Sequence, residues 1–451
     1  MLTRRRFLGY TALAPTLLSR QLSAGTTPGN PEQTLRLAII GNDYRFGSEL
    51  QTITDRFLIG YPQNGDWHRP NVRVVSLYLD RTPQWFGSTS FGRITGAKNP
   101  RDHLRSTNKP LPGDLSAARA KEFGFVIYPN VPAALRRGGE HIACDAVLTV
   151  IDQGNYPRND LGQILYPRYD LFGQCAQVFE EEKHAVPYYN HKNLSFSFRE
   201  AQKMVEDSER LGFPMLAGGS LPVTWRLPDV DMPMGAEVHE AVMVGIERAG
   251  FTDFDALEAM QAMLERRKGG ETGVAAVQLL EGDEVWEAGA AGRWSKELLS
   301  SALSRSDTPL GLTLLDGRTQ DLVGLGVLPQ LVKDPAAYFV EYSDGTRAVL
   351  LMLTGAVEDF NFSARLAGHG LISTQFFLSP PPNETYSACL VSKIEQMFIT
   401  RRAPYPVRRT LLTSGILEAC LKSKAQLHQR IETPHLEMRY QPPAESQYSR
   451  T

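Results

Sequence analysis

From residue 35 to residue 217 short apolar runs alternate with helix-like stretches, and that alternation leaves few folds open. Apolar runs at 35–40, 72–79, 125–128, 146–151, 185–189 and 214–217 predict six strands. Helical patterns at 48–58, 114–123, 131–137, from Asp170 onward and at 197–211 lie between them. Ser48 and Asp114 are of the type that caps a helix start, and Ser197 with Glu200 has the spacing of a capping box. Such strand–helix alternation specifies a parallel sheet with helices on both faces, a Rossmann-like doubly wound arrangement. Ligands of such a sheet bind beyond the carboxyl ends of its strands, so the loops after each strand are where functional side chains are expected.

The second half changes character. A strand is expected at 237–246, a helix at 253–267, and a hairpin over 338–342 and 347–353 around Ser343-Asp344-Gly345-Thr346. Strands at 360–366 and 372–378 follow, then helices at 388–400 and 408–423, with a long loop at 305–335. The pattern is that of an α+β domain with a largely antiparallel open sheet. For 451 residues, at roughly 100–200 per domain, two domains are expected. Their limits are read as 34–222 and 223–440, with a frayed polar tail at 441–451.

Residues 1–33 read as an export signal and linker. Arg4-Arg5-Arg6 precedes a mild apolar stretch and then small residues, the pattern of a twin-arginine signal. A periplasmic or other extracytoplasmic location is therefore expected. Because that route carries folded proteins, it suits a chain that holds its cofactor tightly. A formal net charge of −2 gives no footprint for nucleic acid, and no apolar run is long enough for a stable membrane span. The cysteines at 144, 175, 389 and 420 form no C-x-x-C pair and have no His at ligand spacing, so four buried thiols and no metal site are expected.

The first strand ends in Gly41-Asn42-Asp43-Tyr44-Arg45-Phe46-Gly47-Ser48. A dinucleotide fingerprint would place three glycines here, and only Gly41 stands in register. Asp43 at the second glycine position would repel a diphosphate unless it turns away, whereas Arg45 has the charge to contact phosphate. The second strand ends at Asp80-Arg81, where an acid takes ribose hydroxyls and a neighbouring Arg accepts a 2′-phosphate. The spacing from Gly41 is about twice the usual ~20 residues, the excess lying in an inserted loop at 59–70. A surface Asp opening a turn is the equal alternative for Asp80. The fifth strand leads to Tyr189-Asn190-His191-Lys192-Asn193, putting Lys192 on the ligand edge, where desolvation would shift its pKa and suit it to hold or deprotonate a substrate hydroxyl.

The order of strands, the Lys192 loop, the Leu-Gly-Phe-Pro-Met-Leu-Ala segment at 211–217, Arg226-Leu227-Pro228 and the 400–407 stretch before the last helix together resemble the Gfo/Idh/MocA oxidoreductase family over about 34–425. The resemblance implies NAD or NADP as cofactor, held by Gly41, Asn42, Arg45, Asp80 and Arg81. It also implies a sugar or cyclitol-like polyol as substrate, and a homo-oligomer formed through the second sheet. Lys192 matches the family's catalytic Lys, while His191 and Asn193 replace the Glu and Pro beside it. The family's Asp-x-x-x-His pair is absent; Asp255 is the nearest candidate for assisting Lys192 and reads equally as a helix N-cap. Arg226 and Lys268 are the candidates for substrate contact, Lys268 within a dense charged loop at 265–272 whose simpler reading is a solvated, salt-linked surface. A non-catalytic carbohydrate- or partner-binding protein on the same scaffold is the alternative function.

Overall fold

The computed structural model describes residues 34–80, 113–247, 252–310, 321–368, 370–379 and 383–450. The export-signal reading and Arg81 lie outside the described residues.

The first half contains β1 (Leu35–Gly41), α1 (Glu49–Ile59), β2 (Tyr61–Gln63), β3 (Asp66–His68), β4 (Val72–Leu79), α2 (Ser116–Phe123), β5 (Val126–Tyr128), α3 (Val131–Arg136), β6 (Ala146–Val150), α4 (Arg168–Glu182), β7 (Tyr188–His191), α5 (Phe198–Leu211) and β8 (Met215–Gly218). Six of these strands form one sheet in the order β5-β4-β1-β6-β7-β8, every neighbouring pair parallel. The order reverses between β1 and β6, which opens a crevice at their carboxyl ends. β1, β6 and β7 are buried almost throughout, as strands covered on both faces must be.

The second half contains β9 (Trp225–Leu227), β10 (Val238–Gly245), α6 (Thr252–Leu264), β11 (Val274–Glu281), α7 (Asp283–Ala290), α8 (Lys296–Leu303), α9 (Leu328–Leu331), β12 (Ala336–Tyr342), β13 (Arg347–Met352), β14 (Phe360–Leu366), β15 (Gly370–Phe377), α10 (Tyr386–Thr400), α11 (Arg408–Ala425) and β16 (Ile431–Glu432). Its eight-stranded sheet runs β16-β11-β12-β13-β10-β14-β15-β9, antiparallel except where β10 meets β13. No helix among the described residues is long and apolar enough to cross a membrane.

Five details depart from the sequence reading. The insert at 59–70 is a hairpin, β2–β3, turned by Asn64 and Gly65 with φ of 52° and 77°. It is pinned by Tyr61 and His68 to Glu395 on α10. α10 itself belongs to the first core: Leu390, Val391 and Ile394 pack with Leu50, Ile53 and Phe57 of α1 against Leu37 and Ile39. Burying each such side chain contributes roughly 1.5–3 kcal/mol, which only the finished sheet makes available. The capping box is also rearranged. Ser197 makes no side-chain cap; Ser195 bonds Glu200 instead, and Glu418 of α11 accepts from Phe198 N–H at 2.7 Å.

The terminal segment is not frayed. Tyr448 is buried, its ring lies 3.9 Å from the Arg226 guanidinium, and Ser449 N–H donates to Val223 O. Nor is the charged loop at 265–272 mainly solvated, although Lys268 is exposed. Arg409 pairs with Glu265, and Arg267 with Glu271 and Asp344, with all but Asp344 buried. All four cysteines are buried and free, as expected.

Candidate active site

Three loops meet at the carboxyl edge of the parallel sheet. The β1–α1 turn brings Glu49, the first residue of α1 after its Ser48 cap. The loop after β6 brings Asp152, and the end of β7 brings His191 and Lys192. From the second half, the first turn of α6 brings Asp255.

Lys192 adopts φ 60° and its N–H donates to Gly218 O, which turns the side chain off the strand and inward. Its ammonium lies 3.0 Å from Asp255 Oδ2, 3.7 Å from Asp152 Oδ2 and 3.9 Å from Glu49 Oε1. Burial pushes the Lys192 pKa down, but these carboxylates outweigh it and hold the pKa well above the ordinary range. This reverses the expectation of a lysine shifted by desolvation: Lys192 is a fixed cation, built to donate hydrogen bonds rather than to accept a proton. Asp255 is raised as well: burial lifts its carboxyl against the pull of Lys192, which makes it a stronger proton acceptor than an ordinary aspartate. Glu49 is lowered to about 2: burial raises it, and the larger combined effect of Lys192 and His191 brings it down. The direct contact with Lys192 displaces the helix-cap reading of Asp255.

Two glycines make the approach possible. A Cβ on Gly219 would lie 2.5 Å from Asp255 Oδ1, and one on Gly218, at φ 120°, would lie 2.4 Å from Glu258 Oε1. Glu258 accepts from Gly219 N–H at 2.8 Å and lies 2.6 Å from the Thr410 hydroxyl, and burial pushes its carboxyl up to about 7.

Beside Lys192 opens a cleft lined among others by Arg158, Tyr166, Arg168, Phe196 and Asp253. Its walls mix apolar and aromatic side chains with a few cationic, acidic and amide groups, as ligand pockets do. Buried Arg168 anchors its floor by donating to Ile151 O and Asn193 Oδ1.

The other sequence candidates divide. Asn42 donates to Gln153 O at 2.8 Å, tying the first turn to the loop after β6. Arg45 forms a two-pronged pair with Asp43, so the carboxylate at the second glycine position is neutralised and the guanidinium is already engaged. Asp80 accepts from Tyr156 at 2.8 Å and faces the Tyr78 hydroxyl at 3.4 Å. Gly41 lets Leu50 of α1 pack against the strand end, where a Cβ would collide with it. Arg226 and Lys268 are not brought to the cluster. Arg226 is buried between Asp231 and Tyr448, and exposed Lys268 pairs with Glu237. Sequence reasoning missed Glu49, Asp152, Arg168 and Glu258. Asp152 ends a predicted strand as Asp80 does, so the same rule would have found it; Glu49 is masked by the helix-start preference for acids.

No protein-family model matches the sequence, and no curated protein is similar to it at the sequence level. Solved structures do match. GenD2 from gentamicin A biosynthesis, in complex with NAD, superimposes with a TM-score of 0.52 at 12% identity, over 90% of this chain and 99% of that one. The myo-inositol dehydrogenase from Lactobacillus casei, in complex with NAD(H) and myo-inositol, superimposes with a TM-score of 0.50 at 10% identity, over 89% and 97%. A Rossmann-like parallel sheet followed by a mostly antiparallel eight-stranded sheet is thus the fold that this chain shares with these structures.

Proposed function

We propose that the protein is an oxidoreductase that moves a hydride between a nicotinamide dinucleotide and a carbinol carbon of a sugar or cyclitol-like polyol. The observation that carries this reading is the buried Lys192–Asp255 pair at the carboxyl edge of the sheet, beside an open cleft. Fold neighbours crystallised with NAD and with myo-inositol support it by analogy of fold alone.

The residues at the crevice fit a dinucleotide. Gly41 gives a close strand–helix turn, Asp43 carries no unbalanced charge, and Asp80 stands at the strand end where ribose hydroxyls are held. Gly41, Asn42 and Asp80 would hold the cofactor, which supplies the hydride acceptor. The chain's own part is proton handling. The Lys192 ammonium donates to the substrate oxygen and stabilises negative charge developing on it. Asp255, raised by burial, takes the hydroxyl proton as the C=O bond forms.

A second reading, a polyol-binding protein without redox chemistry, is favoured by the Tyr156–Asp80 hydrogen bond, which engages the ribose-binding carboxylate internally. One experiment separates the two. Natively purified protein is weighed by native mass spectrometry and then denatured, and the supernatant is assayed for NAD(P). A bound or titratable nicotinamide dinucleotide, with absorbance at 340 nm appearing on addition of polyols and lost in Lys192→Met, supports the oxidoreductase. Polyol binding without any dinucleotide binding supports the second reading and ends the first. Export through a twin-arginine signal and assembly into a homo-oligomer remain part of the proposal; fractionation and sedimentation test them.

A further inference from the structure

We propose that Glu49, Asp152 and His191 form a binding site for one divalent transition-metal ion at the N-terminus of α1. The proposal stands on geometry alone and survives if the hydride-transfer reading fails.

One carboxylate oxygen each from Glu49 and Asp152 and one ring nitrogen of His191 lie within 4.8 Å of one another. Clustered acids alone would carry little weight; the decisive observation is the state of His191. Its ring is buried, and Nε2 makes no hydrogen bond although it points at Glu49 Oε2, 3.5 Å away. The other ring nitrogen explains why. The Tyr189 hydroxyl lies 2.7 Å from Gly218 O, a group that only accepts, so the phenol proton is committed there. Tyr189 oxygen, 3.2 Å from Nδ1, must then accept, so Nδ1 carries a proton. So oriented, the ring turns Nε2 toward the Glu49 carboxylate and leaves it without a hydrogen-bond partner, in a site where two carboxylate oxygens stand close enough to share one ion with it. An imidazole whose far nitrogen donates to a fixed oxygen is also the arrangement that orients metal-binding histidines.

Charge points the same way. Among the described residues, Glu49, Asp152 and Asp255 gather around Lys192, with Arg168 3.9 Å from Asp152 and the His191 ring 3.5 Å from Glu49. Lys192 spends its hydrogen bond on Asp255 and leaves Glu49 and Asp152 beyond hydrogen-bond distance. An ion between these two would be held by oxygens that no lysine hydrogen bond occupies. Two carboxylates with one imidazole suit Mn²⁺, Zn²⁺ or Fe²⁺, whereas Ca²⁺ and Mg²⁺ prefer all-oxygen sets. The three ligands come from a helix start, a loop and a strand end far apart in the chain, which is why no sequence spacing announced them.

The test uses the full-length protein stripped with EDTA and titrated with Mn²⁺ and Zn²⁺ by calorimetry, with electron spin echo spectroscopy on the Mn²⁺ form. The expected result is one equivalent bound, with ¹⁴N coupling from an imidazole. Glu49→Gln and Asp152→Asn should each weaken binding about tenfold or more, and His191→Phe should abolish the nitrogen coupling. Glu258→Gln, outside the ligand set, should bind as the wild type does. Circular dichroism identifies a variant that fails to fold, and the wild-type titration and its nitrogen signal decide the matter without it. No stoichiometric binding by the wild type, or a bound ion without nitrogen coupling, overturns the proposal.

Discussion

Tyr156 donates its phenol to Asp80 at 2.8 Å, so the acid at the end of the second strand of the parallel sheet is held by the loop that follows the fourth. A dinucleotide ribose has to take that carboxylate from Tyr156. Tyr156→Phe removes the competitor while keeping the ring against Tyr166. One such hydrogen bond is worth about 0.5–1.5 kcal/mol, so the variant should bind NAD(P)H roughly two- to tenfold more tightly. Fluorescence titration of both proteins measures this; weaker binding by the variant would make Tyr156 part of the dinucleotide site instead.

Lys192 and Asp255 lie on different halves of the chain, and their 3.0 Å contact ties the two together. Removing the lysine leaves three carboxylates facing one another, at a cost of about 3–5 kcal/mol. Lys192→Met should therefore destabilise strongly, and Asp255→Asn should recover part of the loss in the double variant. A double-mutant cycle by urea unfolding is expected to give a coupling of about 1–3 kcal/mol. Strict additivity would mean that the pair is not coupled in solution.

Glu258 gives a pH dependence whose sign is set by its environment. The Thr410 hydroxyl has one proton and two acceptors in reach, Ala217 O and Glu258 Oε1. A protonated Glu258 resolves this by donating to Thr410, which donates onward to Ala217. Burial raises the carboxyl from its ordinary 4.5 to about 7, so the neutral form is the one the fold prefers. Its contribution is fully present below pH 4.5, falls as pH rises toward 7 and stays flat above. At about 1.4 kcal/mol per pH unit the fall amounts to a few kcal/mol. Glu258→Gln, whose amide can make the same contacts, should flatten that slope when urea midpoints are measured from pH 5 to 8. An unchanged slope would assign the dependence to other groups.

Tyr448 stacks on Arg226 near the chain's end. Tyr448→Ala removes the aromatic cover of a buried guanidinium and should destabilise the protein by about 1–3 kcal/mol, read as a lower thermal midpoint. Stability within about 0.3 kcal/mol of wild type would show that the terminal segment is dispensable.

Local pattern made the parallel sheet legible. Strands buried on both faces must be nearly continuous apolar runs, and the helices between them carry caps and spacing that need no tertiary partner to be recognised. The same logic placed Lys192 at a strand end. It failed over 274–303, where one strand and two helices follow one another with mixed periodicity and little punctuation.

By itself the sequence determined the layer architecture, the burial of its four cysteines and the ligand edge on which Lys192 stands, because each follows from periodicity or from position within an element. Only the tertiary structure decided what Lys192 meets. Glu49, Asp152 and Asp255 reach it from elements far apart in the chain, and of the two roles the sequence left open, holding or deprotonating a hydroxyl, the field they create favours the first. It also decided that Arg226 serves packing and that the terminal residues are ordered. Coulomb energy in a buried site depends on distance through space, and chain separation does not encode that distance.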